Sequence, residues 1–432
     1  MKAEAAWVGP GRRLEPAYIL VQGGRVLALS SRRPRRAGRL IEVSGTLAPG
    51  LVDAWSTLVP EDVEGNRHST TLERLAESLP ADEEGFDPGL SARVAAARQA
   101  GLAAAWLSAP GGGLERGRGT AVTFSDHDLP RPEGREAIEI SLDSLLMVEQ
   151  LGDRLKAASD LRDAREDYQE KLEKYRKDLE DYQKKLEEFL AKNGKANGKA
   201  NGKAKGNGSG KESPGRAGDP SQEKNKDQGN GNGNGKGKEK TPQGPKRPKP
   251  PREPGRNPGL DLLLRALDRE LPLRVRADRA GDILRLLELR EKYGFDLVLV
   301  GGREAGLVAG HLADAEVPVI LAAASPPMKP REGRSFAERF LALRKAGVEV
   351  AIASGGGEGR EALLLLRAGE AVAAGADPED VWASLTSVPA RLLGLEKTYG
   401  TLHPGAAAEF LLFEGTSPFD ASRPLHGFRP GK

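Results

Sequence analysis

The stretch Asp296-Leu297-Val298-Leu299-Val300-Gly301-Gly302 decides the fold, because it is a short apolar run closed by two glycines. Comparable runs occupy 273–277, 317–321 and 348–353, and a segment with amphipathic helical spacing follows each of them. Short apolar strands alternating with such helices are typical of a buried parallel sheet. This part of the chain therefore predicts an α/β protein.

The predicted helices of this region cover 281–293, 305–314, 336–345 and 360–374. Earlier in the chain, the pattern predicts a helix at 91–101 and a strand at 103–107. The blocks 49–152 and 259–402 together hold roughly 250 residues, the usual size of a (β/α)8 barrel. We therefore expect a TIM-like barrel in two parts, with an insertion between them.

The two ends of the chain do not follow the strand–helix alternation. Residues 17–29 form a hairpin pattern around Gln22-Gly23-Gly24, and 410–415 read as one further strand. We expect 1–48 and 403–432 to meet in a small β-domain that flanks the barrel.

The first part of the insertion, 153–192, has a heptad pattern of apolar and aromatic residues. A helix is expected over 155–192, and its seam either pairs with a second copy, lies on the body or forms a weak stripe on a solvated helix. The possible partner is thus a homo-oligomer formed through 153–192. The seam residues are Leu161, Tyr168, Leu172, Tyr175, Leu179, Tyr182, Leu186 and Phe189.

The second part of the insertion, 193–258, contains no Leu, Ile, Val or aromatic residue and is rich in Gly, Asn, Lys and Pro. Such a segment buries too little apolar surface to order itself, so we expect a disordered linker. The linker is basic, but it offers no aromatic residue for stacking on bases. A nucleic-acid partner is therefore not expected.

The composition excludes several kinds of site. The chain has no cysteine and five histidines, which rules out disulfides, thiolate zinc sites, iron–sulfur clusters and a cysteine nucleophile. No apolar stretch is long enough for a membrane span, and no signal-peptide pattern opens the chain. We expect a cytoplasmic protein with no membrane partner.

The order of short motifs along the chain resembles the amidohydrolase superfamily, most of all its imidazolonepropionase-like members. The similarity covers nearly everything outside 153–258. The motifs are Val21-Gln22-Gly23-Gly24-Arg25-Val26, Leu47-Ala48-Pro49-Gly50-Leu51-Val52-Asp53-Ala54, Leu271-Pro272-Leu273-Arg274-Val275, Pro389-Ala390-Arg391-Leu392-Leu393-Gly394-Leu395 and Gly400-Thr401-Leu402.

This resemblance implies metal-assisted hydrolysis of carbon–nitrogen bonds at the carboxyl end of the barrel. The family's ligands are a His-x-His after the first strand, a His after each of the fifth and sixth, and an Asp after the eighth. In this chain those positions are degenerate, and no side chain there serves as a metal ligand. We therefore expect no metal, no cofactor and no catalytic residue. The five positions are Trp55, Thr57, Arg276, Gly301 and Gly355.

Two interpretations of the altered site stay open. Arg276, Asp278 and Arg279, with Ser354 near the glycines at 355–357, either bind a small acidic molecule or fill the space left by the metals. The protein is accordingly a non-catalytic binding or scaffold relative of the amidohydrolases, or a hydrolase of cyclic amide-like carbon–nitrogen bonds with an atypical site.

Overall fold

The computed structural model describes residues 1–35, 38–56, 88–108, 114–124, 131–197, 244–323, 334–356, 360–415, 418–419 and 426–428. The chain divides into two compact units. The first consists of Met1–Leu161 and Arg256–Lys432, and the second of Arg162–Gly255. Within the described ranges, no helix is long and apolar enough to cross a membrane.

The described strands and helices are numbered in chain order. The strands are β1 (Lys2–Ala3), β2 (Ala5–Gly9), β3 (Arg12–Leu14), β4 (Ala17–Gln22), β5 (Arg25–Ser30), β6 (Thr46–Pro49), β7 (Leu51–Ser56), β8 (Leu102–Leu107), β9 (Glu115–Thr123), β10 (Arg131–Leu142), β11 (Leu273–Ala277), β12 (Leu297–Gly301), β13 (Val319–Ala322), β14 (Val350–Ala353), β15 (Phe410–Phe413) and β16 (His426–Phe428). The α-helices are α1 (Pro88–Gln99), α2 (Leu145–Asn197), α3 (Pro258–Leu267), α4 (Ala280–Tyr293), α5 (Ala309–Asp314), α6 (Phe336–Lys345), α7 (Leu363–Ala373), α8 (Pro378–Ala383) and α9 (Ser387–Leu392).

The central sheet of the first unit has eight described strands in the order β7 to β14. Hydrogen bonds join its two ends, because the backbone N–H of Ser354 donates to Asp53 Oδ1 (2.9 Å) and that of Gly355 to the carbonyl of Trp55 (3.1 Å). The sheet is thus a nearly closed barrel, consistent with the TIM-like fold that the sequence predicts.

The third barrel strand departs from the expected alternation. β9 runs antiparallel to both β8 and β10, whereas the other neighbouring strands of the sheet are parallel. A parallel crossover needs a dozen or more residues, and only 108–114 and 124–130 connect these strands. The strict (β/α)8 alternation is therefore wrong at this strand, because the short connections allow only hairpins.

Side chains on β11–β14 alternate between the two faces of the sheet. The outer face packs against the helices, and the inner face lines the barrel. On β11, Leu273 and Val275 belong to the large outer core, whereas Arg274 and Arg276 alternate with them. The inner residues of the next three strands form a separate apolar cluster with Ala54: Val298, Val300, Ile320, Ala351 and Ala353.

Most predicted elements of the second barrel block occur close to their predicted bounds. The strand at 273–277 and the helix at 336–345 agree with β11 and α6. The helix predicted at 305–314 is divided into a 3₁₀ turn, Ala305–Leu307, and α5. The helix predicted at 360–374 likewise begins as a 3₁₀ turn, Arg360–Ala362, before α7.

Segments from the two chain ends share a sheet of the first unit. β15 pairs antiparallel with β6, and β6 pairs parallel with β2. The predicted hairpin is formed by β4 and β5, with Gly23 and Gly24 at φ 58° and 71° in its turn. Two successive positive φ angles are the requirement of a type I′ hairpin turn, which explains the glycine pair.

Helix α2 extends beyond the predicted range of 155–192 at both ends. Its first turns contribute Val148, Leu151, Leu155 and Ala158 to the core of the first unit, so the helix begins well before the expected boundary at residue 153. Asn197 ends the helix, inside the range that was predicted to be disordered.

The remainder of the predicted linker is only partly described. Residues 198–243 lie outside the described residues, whereas 244–257 are described and belong to no helix or strand. The helix to Asn197 therefore corrects the predicted start of the linker at residue 193, and disorder of the remainder stays a prediction.

Candidate binding site at the barrel mouth

The positions that the resemblance assigns to metal ligands lie at the carboxyl ends of the barrel strands, a region called the mouth below. Trp55 is on the first strand, β7, and Arg276 is on the fifth, β11. Gly301 ends the sixth strand, β12, and Gly355 follows the eighth, β14. Thr57 lies outside the described residues. The strand positions assigned from the sequence therefore match the order of strands in the sheet.

Trp55 connects several of these positions. The guanidinium carbon of Arg276 lies 5.5 Å from the centroid of the Trp55 ring, within the range of a cation–π contact. The carbonyl of Trp55 accepts from Ser354 Oγ (2.9 Å) and from the N–H groups of Gly355 (3.1 Å) and Gly356 (3.2 Å). The structure thus brings Trp55 together with Arg276 on one side and with the end of the eighth strand on the other.

Gly301 has no room for a side chain. Its φ is +92°, and a Cβ there would lie 2.7 Å from Asp278 Oδ1. The carboxylate of Asp278 also accepts from the backbone N–H of Arg303 (3.2 Å) and pairs with its Nε (3.2 Å). Asp278 therefore has Arg303 as its observed ion-pair partner, while the exposed Arg279 precedes α4 as its N-cap residue.

Asp53 is a fully buried carboxylate at the closing edge of the barrel. Its Oδ1 accepts from the N–H groups of Trp55 (3.0 Å) and Ser354 (2.9 Å), and its Oδ2 has no hydrogen-bond partner among the described residues. Burial raises the pKa of Asp53 to about 6, against the lowering effect of the hydrogen bonds from Ser354 and Trp55. Asp53 fastens the first strand to the eighth.

Arg274, Trp106 and Glu139 form a buried polar group inside the barrel. The guanidinium of Arg274 stacks on the Trp106 ring, 4.1 Å from its centroid, and donates to the carbonyl of Ala54. Trp106 Nε1 donates to Glu139 Oε1 (2.7 Å). Burial lowers the pKa of Arg274 to about 10, while the charges of Glu139 and Asp53 raise it in part. Arg274 is therefore still cationic at neutral pH.

A small cavity lies beside this group, lined by residues at the first six strands of the barrel. About 20 Å³ of it is available to the centre of a water-sized molecule. Three of its side chains have a buried polar atom without a described hydrogen-bond partner: Ser108 Oγ, Arg116 Nε and Arg274 Nε. The mouth cavity is lined by Trp55, Ser108, Arg116, Glu139, Ile140, Arg274, Arg276 and Val300.

The side chains at the mouth do not fit the metal that the fold implies. In the part of the chain that the structure describes, no three His, Cys, Asp or Glu residues come close enough to hold an ion. Arg276 carries a permanent positive charge, and Trp55 offers only a donor. His311, on α5, is exposed, and His403 contacts the carbonyl of Pro404.

Sequence reasoning missed most of the cavity. Arg274 carried a usable signal, because a charged residue two positions from Arg276 in an apolar strand must share its face. Trp106 lies on β8, which was predicted as a strand, but nothing paired it with Glu139, because neither the position nor the direction of β10 was predicted. Arg116 lies near the start of β9, and Ser108 directly follows β8.

Comparison with solved structures returns amidohydrolase-family proteins. An amidohydrolase from Thermotoga maritima is 19% identical, with a TM-score of 0.58 over 98% of this chain and 99% of that one. Guanine deaminase from E. coli is 12% identical, with a TM-score of 0.38 over 96% and 88%. No protein-family model and no curated protein matches the sequence. The chain thus has the fold of the Thermotoga amidohydrolase, as the resemblance of its motifs implies.

Proposed function

We propose that this protein is a non-catalytic relative of the amidohydrolases that works without a metal ion and binds a small molecule at the barrel mouth. The observation that carries the proposal is the Arg276–Trp55 pair, because the two side chains occupy two positions that the resemblance assigns to metal ligands and contact each other. A fixed guanidinium charge repels a divalent cation, and the repulsion is strong where burial lowers the dielectric constant.

The sixth-strand position supports the same proposal for a steric reason. A histidine at Gly301 would need a left-handed backbone and would collide with the Asp278 carboxylate, which Arg303 already holds. One substitution therefore does not restore a ligand, because the surrounding side chains have occupied its place.

Asp53 favours a second candidate function, that of a hydrolase acting on cyclic amide-like carbon–nitrogen bonds. A carboxylate with a pKa of about 6 and one unpartnered oxygen has the properties of a general base. However, Asp53 is fully buried and its other oxygen holds two backbone N–H groups. A general base must reach its substrate, so we favour the non-catalytic function.

The test is metal analysis of the purified full-length chain, together with hydrolysis assays on cyclic amides such as hydantoin and dihydrouracil. We expect far less than one transition-metal ion per chain and no hydrolysis above background, with or without added zinc. Stoichiometric metal that a chelator removes together with activity would overturn the proposal. Hydrolysis that persists in a chelator and disappears in Asp53→Asn would establish the second candidate instead.

A further inference from the structure

We infer that the mouth cavity binds the carboxylate group of a small acid through Arg116, Arg274 and Arg276. The inference rests on the proposed function, because it assigns a ligand class to the same site. It also differs from the cluster expected from the sequence, since Asp278 is paired with Arg303 and Arg279 is exposed.

The net positive charge of the side chains that line the cavity favours an anionic ligand. Three guanidinium groups line it, against the single carboxylate of Glu139, and Glu139 already accepts from Trp106 Nε1. Guanidinium groups bind carboxylates through paired, charge-assisted hydrogen bonds. The lining therefore has two more positive than negative charges, which favours a ligand that brings its own negative charge.

Unpartnered donors give the cavity its binding capacity. Arg274 is only 3% exposed, yet its Nε has no described partner. Arg116 Nε and Ser108 Oγ, which line the same cavity, are also buried without one. A buried donor without an acceptor is destabilising, and an oxyanion supplies acceptors with several lone pairs.

Size and wall chemistry restrict the ligand to a small head group with an apolar body. The available space of about 20 Å³ is close to that of one water molecule, so the cavity receives a head group and not a whole ligand. Trp55, Val300 and Ile140 provide apolar walls. A planar carboxylate on a short apolar chain matches both properties.

Calorimetric titration of the full-length chain with propionate tests the inference, with propionamide as the neutral isostere and inorganic phosphate as the alternative anion. We expect binding of propionate and no measurable binding of propionamide. Arg276→Gln should weaken propionate binding about tenfold or more, because it removes a charge-assisted contact. Arg279→Gln, at the exposed residue that precedes α4, is the matched control and should leave the affinity unchanged.

Three outcomes would overturn the inference. Equal weakening by Arg279→Gln would place the anion outside the cavity, and preference for phosphate over propionate would exclude the carboxylate class. If neither propionate nor phosphate binds, the cavity is not an anion-binding site. The metal analysis described above is independent of all three, so failure of the ligand assignment is distinguishable from failure of the proposed function.

A different observation carries a second proposal, which concerns the second unit. We propose that residues 244–255 cover the seam of α2 as a polyproline-II strip. Four half-buried prolines recur at every third residue, and all residues between them, including a fifth proline, Pro250, are exposed. A period of three is that of a polyproline-II helix. The half-buried prolines are Pro245, Pro248, Pro251 and Pro254.

The seam of α2 shows the matching pattern. Tyr168, Tyr175 and Tyr182 are half-buried, as are the seam leucines and Phe189, whereas most residues between them are exposed. At the end of the strip, a Cβ on Gly244 would lie 3.5 Å from Phe189 Cε1. Aromatic grooves accept polyproline-II segments at low entropic cost, because proline already fixes φ. In this proposal, a segment of the same chain covers the face for which a second copy was one of three alternatives.

Cysteine crosslinking tests whether 244–255 covers the seam of α2. The method is suitable because the chain contains no cysteine that would interfere. In the full-length double variant Phe189→Cys/Gly244→Cys, a short bis-maleimide should give an intrachain product of monomer mass at every chain concentration. The control Glu187→Cys/Gly244→Cys, with an exposed helix position, should react more slowly. Crosslinked dimers that increase with chain concentration would establish a second copy as the occupant, and equal rates for the two variants would also reject the strip.

Discussion

The two halves of the barrel interior differ in chemistry although one sheet forms both. Strands β12–β14 present only apolar side chains inward, such as Val298 and Ile320. Strands β8, β10 and β11 instead enclose Trp106, Glu139 and Arg274. The apolar half needs only close packing, whereas the polar half is stable only while each charge keeps its partner. The comparison teaches that the buried charged groups of this barrel lie beside the mouth cavity, where the proposed ligand would contact them.

The largest expected effect is the loss of Arg274 from the polar half. Arg274→Ala removes the buried cation that interacts with the charges of Glu139 and Asp53, and it should lower the free energy of unfolding by about 3–5 kcal/mol. On the apolar half, Ile320→Val should cost only about 0.5–1.5 kcal/mol. Urea unfolding measures both changes in the free energy of unfolding. Equal changes in the two variants would contradict the difference between the polar and the apolar half.

The second effect is a pH dependence caused by Asp53. Because its pKa is about 6 when folded and 3.8 when exposed, the unfolded chain ionises first as the pH rises. The folded state therefore loses about 3 kcal/mol between roughly pH 4 and pH 7, at about 1.4 kcal/mol per pKa unit. Asp53→Asn should remove this loss while keeping an oxygen that accepts from Trp55 and Ser354.

Urea unfolding of wild type and Asp53→Asn at pH 4 and pH 7 measures this contribution. The difference in stability between the two proteins should change in favour of the variant as the pH rises. A stability difference that stays constant across this range would mean that Asp53 has the same pKa in the folded and unfolded states. Asp53 would then be accessible to water in the folded protein.

The smallest effect concerns the packing of Trp106. A Cβ on Gly119 would lie 2.5 Å from Trp106 Cζ2, so Gly119→Ala should destabilise the barrel by about 1–3 kcal/mol. Gly281→Ala is the control, because nothing lies within 4 Å of its added Cβ and alanine favours α4. Thermal unfolding should show a lower Tm for the first variant and an unchanged or higher Tm for the second.

The second barrel block was predictable because its signals are local. A run such as Leu297–Gly301, fully apolar and closed by glycines, has few alternatives to a buried strand, and the helices between such runs follow from their spacing. The first block was harder, because β9 and β10 contain Arg, Glu and Gly inside long strands. The charged residue Glu139 is buried favourably only because Trp106 and Arg274, on other strands of the sheet, surround it.

The sequence by itself determined most of the α/β alternation, the approximate size of the barrel and the side chains at the positions that the resemblance assigns to metal ligands, because each depends on residue type and spacing along the chain. Only the tertiary structure decided that Asp278 pairs with Arg303, that Arg276 stacks on Trp55 and that Arg274 lies against Trp106. The first contact joins the ends of two consecutive strands, and the other two join strands far apart in the chain. Their partners are chosen by strand order and direction, which no local pattern in the sequence encodes.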